Sequence, residues 1–272
     1  MTVARFALAL GFALAAAVAA AQPAVRGEVF GEGVAFRLLA GPPGGERTAW
    51  AVLAVDLEPG WKFYWIAPGP FGIAPEADWS GSRNLASAAL RWPLPERIVD
   101  ADMDPHRLTV GWTRSFLAPL EAVRARAGEG VEIRLTLEYG VCKELCVADR
   151  AVLALRVGAS APDRAATSAV AASRAPCAAA APDRVVALHA EGTALHVELA
   201  SAVDDIFIAG PQSLFFGPPE AVAATGLRRN VAYRIPAFTR EGTAIVPARP
   251  AGALRLVFAR SGQASEFCAE MP

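Results

Sequence analysis

Val131-Glu132-Ile133-Arg134-Leu135-Thr136-Leu137-Glu138-Tyr139 alternates apolar and polar residues without a break. A strict period of two, carried by β-branched and aromatic side chains, predicts a strand with one face buried and the other wet. Working outward, Thr48 to Leu57 and Trp61 to Trp65 flank Glu58-Pro59-Gly60, which reads as strand, tight turn and return strand. Ala88 to Trp92, Ser115 to Val123 and Ala151 to Val157 are further strand candidates. At least six short strands between Val34 and Val157, with turn signals between them, predict an all-β chain that opens on an immunoglobulin-like antiparallel sandwich.

Beyond Val157 the pattern breaks. Gly158 to Asp183 is rich in Ala, Ser, Pro and Arg and reads as a linker, with a short helix from Pro162 to Ala172. The β pattern then resumes at Val185 to His189, Ala194 to Leu199, Ile206 to Ala209, Val231 to Ile235, Thr243 to Val246 and Leu254 to Phe258. The expected organisation is a first domain over 22–157, a linker over 158–183 and a second, smaller β-sandwich-like domain over 184–272.

The amino end carries Arg5, an apolar run from Phe6 to Val18, and Ala19-Ala20-Ala21 before Gln22-Pro23. A charged start, a short hydrophobic core and an Ala-x-Ala site are the pattern of a secretory signal peptide, placed here at residues 1–21. The run is short for a spanning helix, and no later segment is apolar enough to cross a bilayer. The mature chain is therefore expected to be exported. With 26 Lys+Arg against 27 Asp+Glu, it has no electrostatic footprint for nucleic acid or an anionic membrane. No Gly-x-Ser-x-Gly elbow, His-Glu-x-x-His helix or phosphate-cradling Gly-rich loop is present, and Asp204-Asp205 reads as a turn.

Export changes how the four cysteines read, because disulfides persist outside the cytoplasm. Cys142 and Cys146 end the alternating strand in Tyr139-Gly140-Val141-Cys142-Lys143-Glu144-Leu145-Cys146-Val147. Residues four apart in an extended strand lie about 13 Å apart, whereas a disulfide needs Cα atoms within about 7 Å. Either the chain turns between the two cysteines or they do not pair; Gly140 and the non-alternating Lys-Glu-Leu favour a turn at a sheet edge. Lys143 is one of only two lysines in the chain, and a nearby ammonium stabilises a thiolate, while Glu144 acts in the opposite sense. A redox-active pair and an inert local bridge both fit these residues. Cys177 and Cys268 bracket the second domain; a bridge between them would close a loop of about 90 residues, worth roughly 4–5 kcal/mol at most. A structural disulfide is favoured there over two free thiols. Trp61, Phe63, Tyr64, Trp65, Trp79 and Trp92 are read as core rather than as a binding platform, and His189 and His196 as ordinary edge residues.

Gly60-Trp61-Lys62-Phe63-Tyr64-Trp65, Pro68-Gly69-Pro70-Phe71-Gly72-Ile73-Ala74-Pro75, Asp78-Trp79-Ser80-Gly81-Ser82, Trp92-Pro93 and the Cys142–Cys146 segment together resemble the DsbD N-terminal domain family, in particular its ScsB-type branch. The match runs over roughly Thr48 to Val157; Ser213-Leu214-Phe215-Phe216 is similar to the family's second β domain. The resemblance implies a periplasmic immunoglobulin-like module whose cysteine pair, here Cys142 and Cys146, exchanges electrons with thioredoxin-fold partners and needs no bound cofactor. It also implies a cap loop over the pair. Met103 to Trp112 is the candidate, with His106 and Trp112 as shields and Lys143 and Tyr139 in the local environment. The family's complete transporters add membrane helices and a thioredoxin domain, neither of which is found here, so a separate membrane electron donor is expected. The Cys-x-x-x-Cys spacing also departs from the wider spacing of the best-known member. Two alternatives stand beside this reading: a copper-tolerance protein holding Cu(I) between Cys142 and Cys146, and a noncatalytic module that binds another envelope protein.

Overall fold

The computed structural model describes residues 27–99, 108–158, 161–173, 185–211, 214–223, 230–245 and 253–270. The first part of the chain forms β1 (Glu28–Gly31), β2 (Val34–Ala40), β3 (Thr48–Leu57), β4 (Lys62–Tyr64), β5 (Glu76–Asp78), β6 (Leu85–Leu90), β7 (Glu96–Val99), β8 (Leu108–Trp112), β9 (Phe116–Arg124), β10 (Val131–Cys142) and β11 (Cys146–Val157). They assort into two antiparallel sheets, β1-β2-β3-β9-β6 and β11-β10-β4-β8-β7, with β5 added beside β10. The immunoglobulin-like sandwich read from the sequence is the observed fold.

Strand β10 shows why the sheets close on each other. Val131, Ile133, Leu135, Leu137, Tyr139 and Val141 all point inward and are buried, while Glu132, Arg134, Thr136 and Glu138 face out. The inward row meets Phe36 from the opposite sheet, whose ring lies edge-on to Tyr139 at 4.6 Å and to Phe63 at 6.0 Å. Tyr139 keeps its polar end satisfied by donating from its hydroxyl to Asp149 Oδ2 at 3.1 Å. Burial first, and then the Asp149 carboxylate, push the Tyr139 phenol far above its ordinary pKa, so it remains a donor throughout the working range.

The helix α1 (Arg164–Ala172) follows, capped by Asp163, whose carboxylate accepts from Ala166 N–H at 2.9 Å. Its buried Ala166 lies toward β3 and β9. The second part of the chain forms β12 (Val185–Glu191), β13 (Ala194–Leu199), β14 (Asp205–Ala209), β15 (Phe215–Phe216), β16 (Glu220–Val222), β17 (Val231–Phe238), β18 (Ala253–Arg260) and β19 (Gln263–Glu270). One sheet runs β12-β13-β17-β15, with β16 also on β17, and the other β14-β18-β19. Leu195, Val197, Leu199, Ile206, Tyr233, Ile235, Leu254, Leu256 and Phe258 fill the space between them.

Two strand expectations are corrected. Thr243 and Ala244 form no strand: they close a turn onto β17, pairing only at Ala244 with Phe238, and Val246 lies outside the described residues. The polar Gln263–Glu270 segment, not expected to be a strand, pairs along β18 because Ser261 and Gly262, both with positive φ, supply a tight hairpin turn.

The two sandwiches share a core. Phe207, Val257 and Ala259 pack with Trp65 and Val110 of the first sandwich, and the Trp65 and Phe207 rings meet edge-on at 6.3 Å. Arg97 of β7 reaches across: its Nε and Nη2 donate to both oxygens of Asp205 at 2.8 and 2.9 Å, and Nη2 also donates to Ile206 C=O at 2.8 Å. Its guanidinium lies over the Phe207 ring, 4.9 Å from the centroid. Beside this junction is a cavity of about 620 Å³ lined by Trp65, Phe71, Phe207, Phe215 and Phe238 among others. Arg97→Ala would leave a largely buried Asp205 carboxylate without its bidentate partner, at a cost of roughly 2–3 kcal/mol. Calorimetry should then show one unfolding transition for the parent and two for the variant.

Candidate functional site

The chain does turn between the cysteines. β10 and β11 pair residue for residue from Val131↔Val157 to Cys142↔Cys146, and Lys143-Glu144-Leu145 is the hairpin loop, closed by Lys143 N–H donating to Leu145 C=O at 3.2 Å. Directly opposite residues in an antiparallel pair are close enough to bridge. Cys142 and Cys146 form a disulfide with Cα atoms 4.1 Å apart. The alternation that buries Val141 turns Cys142 to the other face of the sheet.

The two sulfur-bearing residues are not equivalent. Cys142 is 8% exposed, whereas Cys146, on the hairpin's outer strand, is exposed, as are Lys143 and Glu144. Leu145 is 80% exposed, an apolar side chain held at the hairpin tip between the cysteines.

Three neighbours complete the site, and sequence reading assigned none of them to it. Lys62 lies directly opposite Cys142 in the β4–β10 pair. Its counterpart Lys143 runs its aliphatic stem over Gly60, where an added Cβ would lie 3.3 Å from Cε. Gly60 sits at φ +86°, the left-handed turn position that brings β4 alongside β10. Both lysines of the chain therefore flank the disulfide. Tyr64, two residues beyond Lys62 on the same face, places its hydroxyl 3.5 Å from Cys146 Sγ. It is buried, as expected of a core aromatic, yet its phenol points at the sulfur.

The third neighbour is the Pro68–Pro75 segment, which folds back over the outer face of β10. Gly140 makes this possible, because a Cβ there would sit 2.5 Å from Ile73 Cβ. Ile73 and Phe71 are 37% and 46% exposed, so with Leu145 they add large apolar surface on the segments bordering the pair. Phe71 also lines the cavity at the junction of the sandwiches, and Arg240 reaches the segment from the second sandwich, donating to Pro70 C=O at 3.5 Å.

The expected cap loop divides differently. Residues 100–107, including Met103 and His106, lie outside the described residues. Leu108–Trp112 is not loop but β8, paired on both sides. Trp112 is core rather than shield: its ring packs 5.6 Å from Trp92 and 4.2 Å from Phe116, and its Nε1 donates to Leu94 C=O. Strand alternation puts it on the same inward face as Phe63. Tyr139 likewise faces the core, on the side of β10 away from Cys142. Cys268 of β19 is disulfide-bonded, while Cys177 lies outside the described residues.

A paired, half-exposed disulfide at a hairpin tip of an immunoglobulin-like sandwich is matched by a family model. The model is that of the N-terminal part of thiol:disulfide interchange protein DsbD, and it covers residues 32–157. Those residues belong to the DsbD N-terminal family. The fold extends further, to the crystal structure of the N-terminal periplasmic domain of ScsB from Proteus mirabilis. That domain superposes with a TM-score of 0.66 at 20% identity, over 90% of this chain and 97% of that one. No curated protein sequence matches the chain. Residues 32–157 thus form a domain of the DsbD N-terminal type, with the Cys142–Cys146 disulfide at its hairpin tip. No helix among the described residues is long and apolar enough to cross a membrane.

Two variants test this geometry. Gly140→Ala drives a methyl group into Ile73 and should cost about 1–3 kcal/mol, measurable by denaturant unfolding; adding Ile73→Ala should recover most of the loss. Lys62→Met removes the cationic side chain of the residue that lies opposite Cys142 in the β4–β10 pair. Ion pairs at contact in high dielectric are worth about 1 kcal/mol, so the thiolate released on reduction should form up to about fivefold less readily, read by thiol titration of the reduced protein.

Proposed function

We propose that this protein is a periplasmic thiol–disulfide interchange module that passes electrons between thioredoxin-fold partners through Cys142 and Cys146. The observation that carries this reading is the asymmetry of the pair: Cys146 exposed at the hairpin tip, Cys142 buried behind it. The family supports the periplasm as its place of work and a membrane-borne electron donor as its source. The leader read over residues 1–21 agrees.

In the oxidised protein a donor thiolate attacks Cys146 Sγ, the accessible end of the bond. The Cys142–Cys146 bond breaks, and Cys142 leaves as a thiolate facing Lys62, whose charge favours that product. A second donor thiol resolves the mixed disulfide, so the donor is oxidised by two electrons and the pair reduced to two thiols. In the outward half-cycle Cys146, deprotonated and hydrogen-bonded by Tyr64, attacks a partner disulfide. Cys142 then resolves that intermediate, and the original bond re-forms. Leu145, Phe71 and Ile73 supply the apolar surface on which such a partner rests. Each step is exchange among sulfurs, and none calls on a bound cofactor. Cys268 and Cys177 are assigned to a structural bridge that plays no part in the cycle.

The copper alternative would use the same two sulfurs, as free thiolates. Stoichiometric Cu(I) binding that is lost in the double cysteine variant would favour copper, and the reduction potential of the pair separates exchange from an inert bridge. Equilibration with glutathione should give a value between about −120 and −270 mV, the range of exchange proteins, whereas one below about −300 mV would mark an inert bridge. Trapping tests the roles. Cys142→Ser should accumulate a mixed disulfide with an oxidised thioredoxin-fold protein, because Cys146 is left to attack and nothing resolves. Cys146→Ser, leaving only the buried thiol, should do so at least tenfold more slowly. Equal rates would overturn the assignment.

A further inference from the structure

The chain contains three histidines, and two of them face each other. His189 in β12 lies directly opposite His196 in β13, and their rings stack with centroids 5.3 Å apart and planes inclined by 18°. Glu191, two residues along β12 from His189, falls on the same face by strand periodicity. Its Oε2 is 3.7 Å from His189 Nε2. One ligand atom from each of the three residues lies within 4.8 Å of the others, the only such group among the described residues.

The surroundings favour a cation. Arg234 of β17 is opposite His196 on its other side, but its guanidinium is held by Glu220, Nη1 to Oε2 at 2.8 Å, so its charge is compensated there. Glu198, the next outward residue of β13, is held by Asn230, whose Nδ2 donates to it at 2.7 Å. The carboxylate of Glu191 is thus the acidic group left to complete the histidine pair. The His189 and Glu191 side chains are 56% and 73% exposed, so both have room for the small rotations that would bring the donor atoms, already within 4.8 Å of one another, to metal-bound separation.

We propose that His189, His196 and Glu191 form a surface site for a borderline divalent transition ion, of the kind that imidazole and carboxylate bind together. Two neutral imidazoles and one carboxylate suit Zn²⁺, Ni²⁺ and Cu²⁺; Mg²⁺ and Ca²⁺ call for an all-oxygen set, and Cu(I) for sulfur. Among the three ions the Irving–Williams order ranks Cu²⁺ first. Water occupies the remaining positions. The ion would tie β12, the edge strand of its sheet, to β13 through side chains, in addition to the backbone ladder. The site is on a different sheet from the Cys142–Cys146 hairpin and stands whether or not that pair exchanges electrons.

The test is calorimetric titration of the full chain, with its disulfides intact, against Zn²⁺ alone and then Cu²⁺ alone at neutral pH. The expected result is one equivalent per chain, with Cu²⁺ bound more tightly than Zn²⁺. His189→Ala and His196→Ala should each weaken binding at least tenfold, Glu191→Gln severalfold, and His106→Ala not at all. The ring-proton resonances of His189 and His196 should shift with Zn²⁺ and vanish with Cu²⁺ at the same stoichiometry. All three side chains sit on the outer face of the sheet, so the variants should keep the parent circular dichroism; His189→Gln serves in place of any that does not. Absence of saturable binding below millimolar Zn²⁺ would overturn the proposal. So would binding that survives His189→Ala/His196→Ala, or binding that is lost in His106→Ala.

Discussion

The ladder between β10 and β11 is the constraint on which the rest of this structure depends. Twelve consecutive residues of one strand pair with twelve of the other without a register shift. Because side chains alternate strictly, that register decides two things at once. It sends Ile133, Leu135, Leu137, Tyr139 and Val141 into the sandwich, and it sets Cys142 opposite Cys146 on the other face. A slip of one residue would move the core row to solvent and part the sulfurs together. Core packing therefore holds the cysteine pair in register, and the disulfide need contribute little to stability.

Around this ladder the protein collects charge and apolar surface with few residues. Both lysines of an arginine-rich chain lie beside the cysteines, one across the β4–β10 pair and one in the hairpin loop. Arginine is used where planar, bidentate contact is needed, as at the Arg97–Asp205 junction. Lysine, a compact point charge, is used on the strand and in the loop that border the cysteines. Tyr64 adds a hydroxyl to the same small space, and Leu145 leaves the tip of the hairpin apolar.

The second sandwich is not a loosely tethered appendage. Phe207, Val257 and Ala259 enter the first sandwich's core, and Arg97 and Arg240 bridge the junction in opposite directions. The Pro68–Pro75 segment touches both ends of this arrangement: Ile73 sits on Gly140 beside the hairpin, and Phe71 lines the cavity between the sandwiches. The position of that segment is consequently set by the disulfide-bearing strand and by the second sandwich together.

The sequence by itself determined the fold class, because a period of two from Val131 to Tyr139 fits only a half-buried strand. It also singled out the cysteine pair, through the Gly140 break and the motifs around it, and it located the short helix in the Ala-rich stretch. Tertiary structure decided what depends on contacts between distant segments. Lys62 is 80 residues from Cys142 and Tyr64 is 82 from Cys146 in sequence, and they join the pair only through the β4–β10 pairing. Trp112, expected over the disulfide, belongs to the core because β8 is a paired strand whose alternation turns it inward. His189 and His196 look like unrelated edge residues until the β12–β13 register sets them face to face. Local patterning reads the period of a strand, since each residue's facing follows from its neighbour's; which strand lies beside it, and in what register, is fixed by the packing of the whole core.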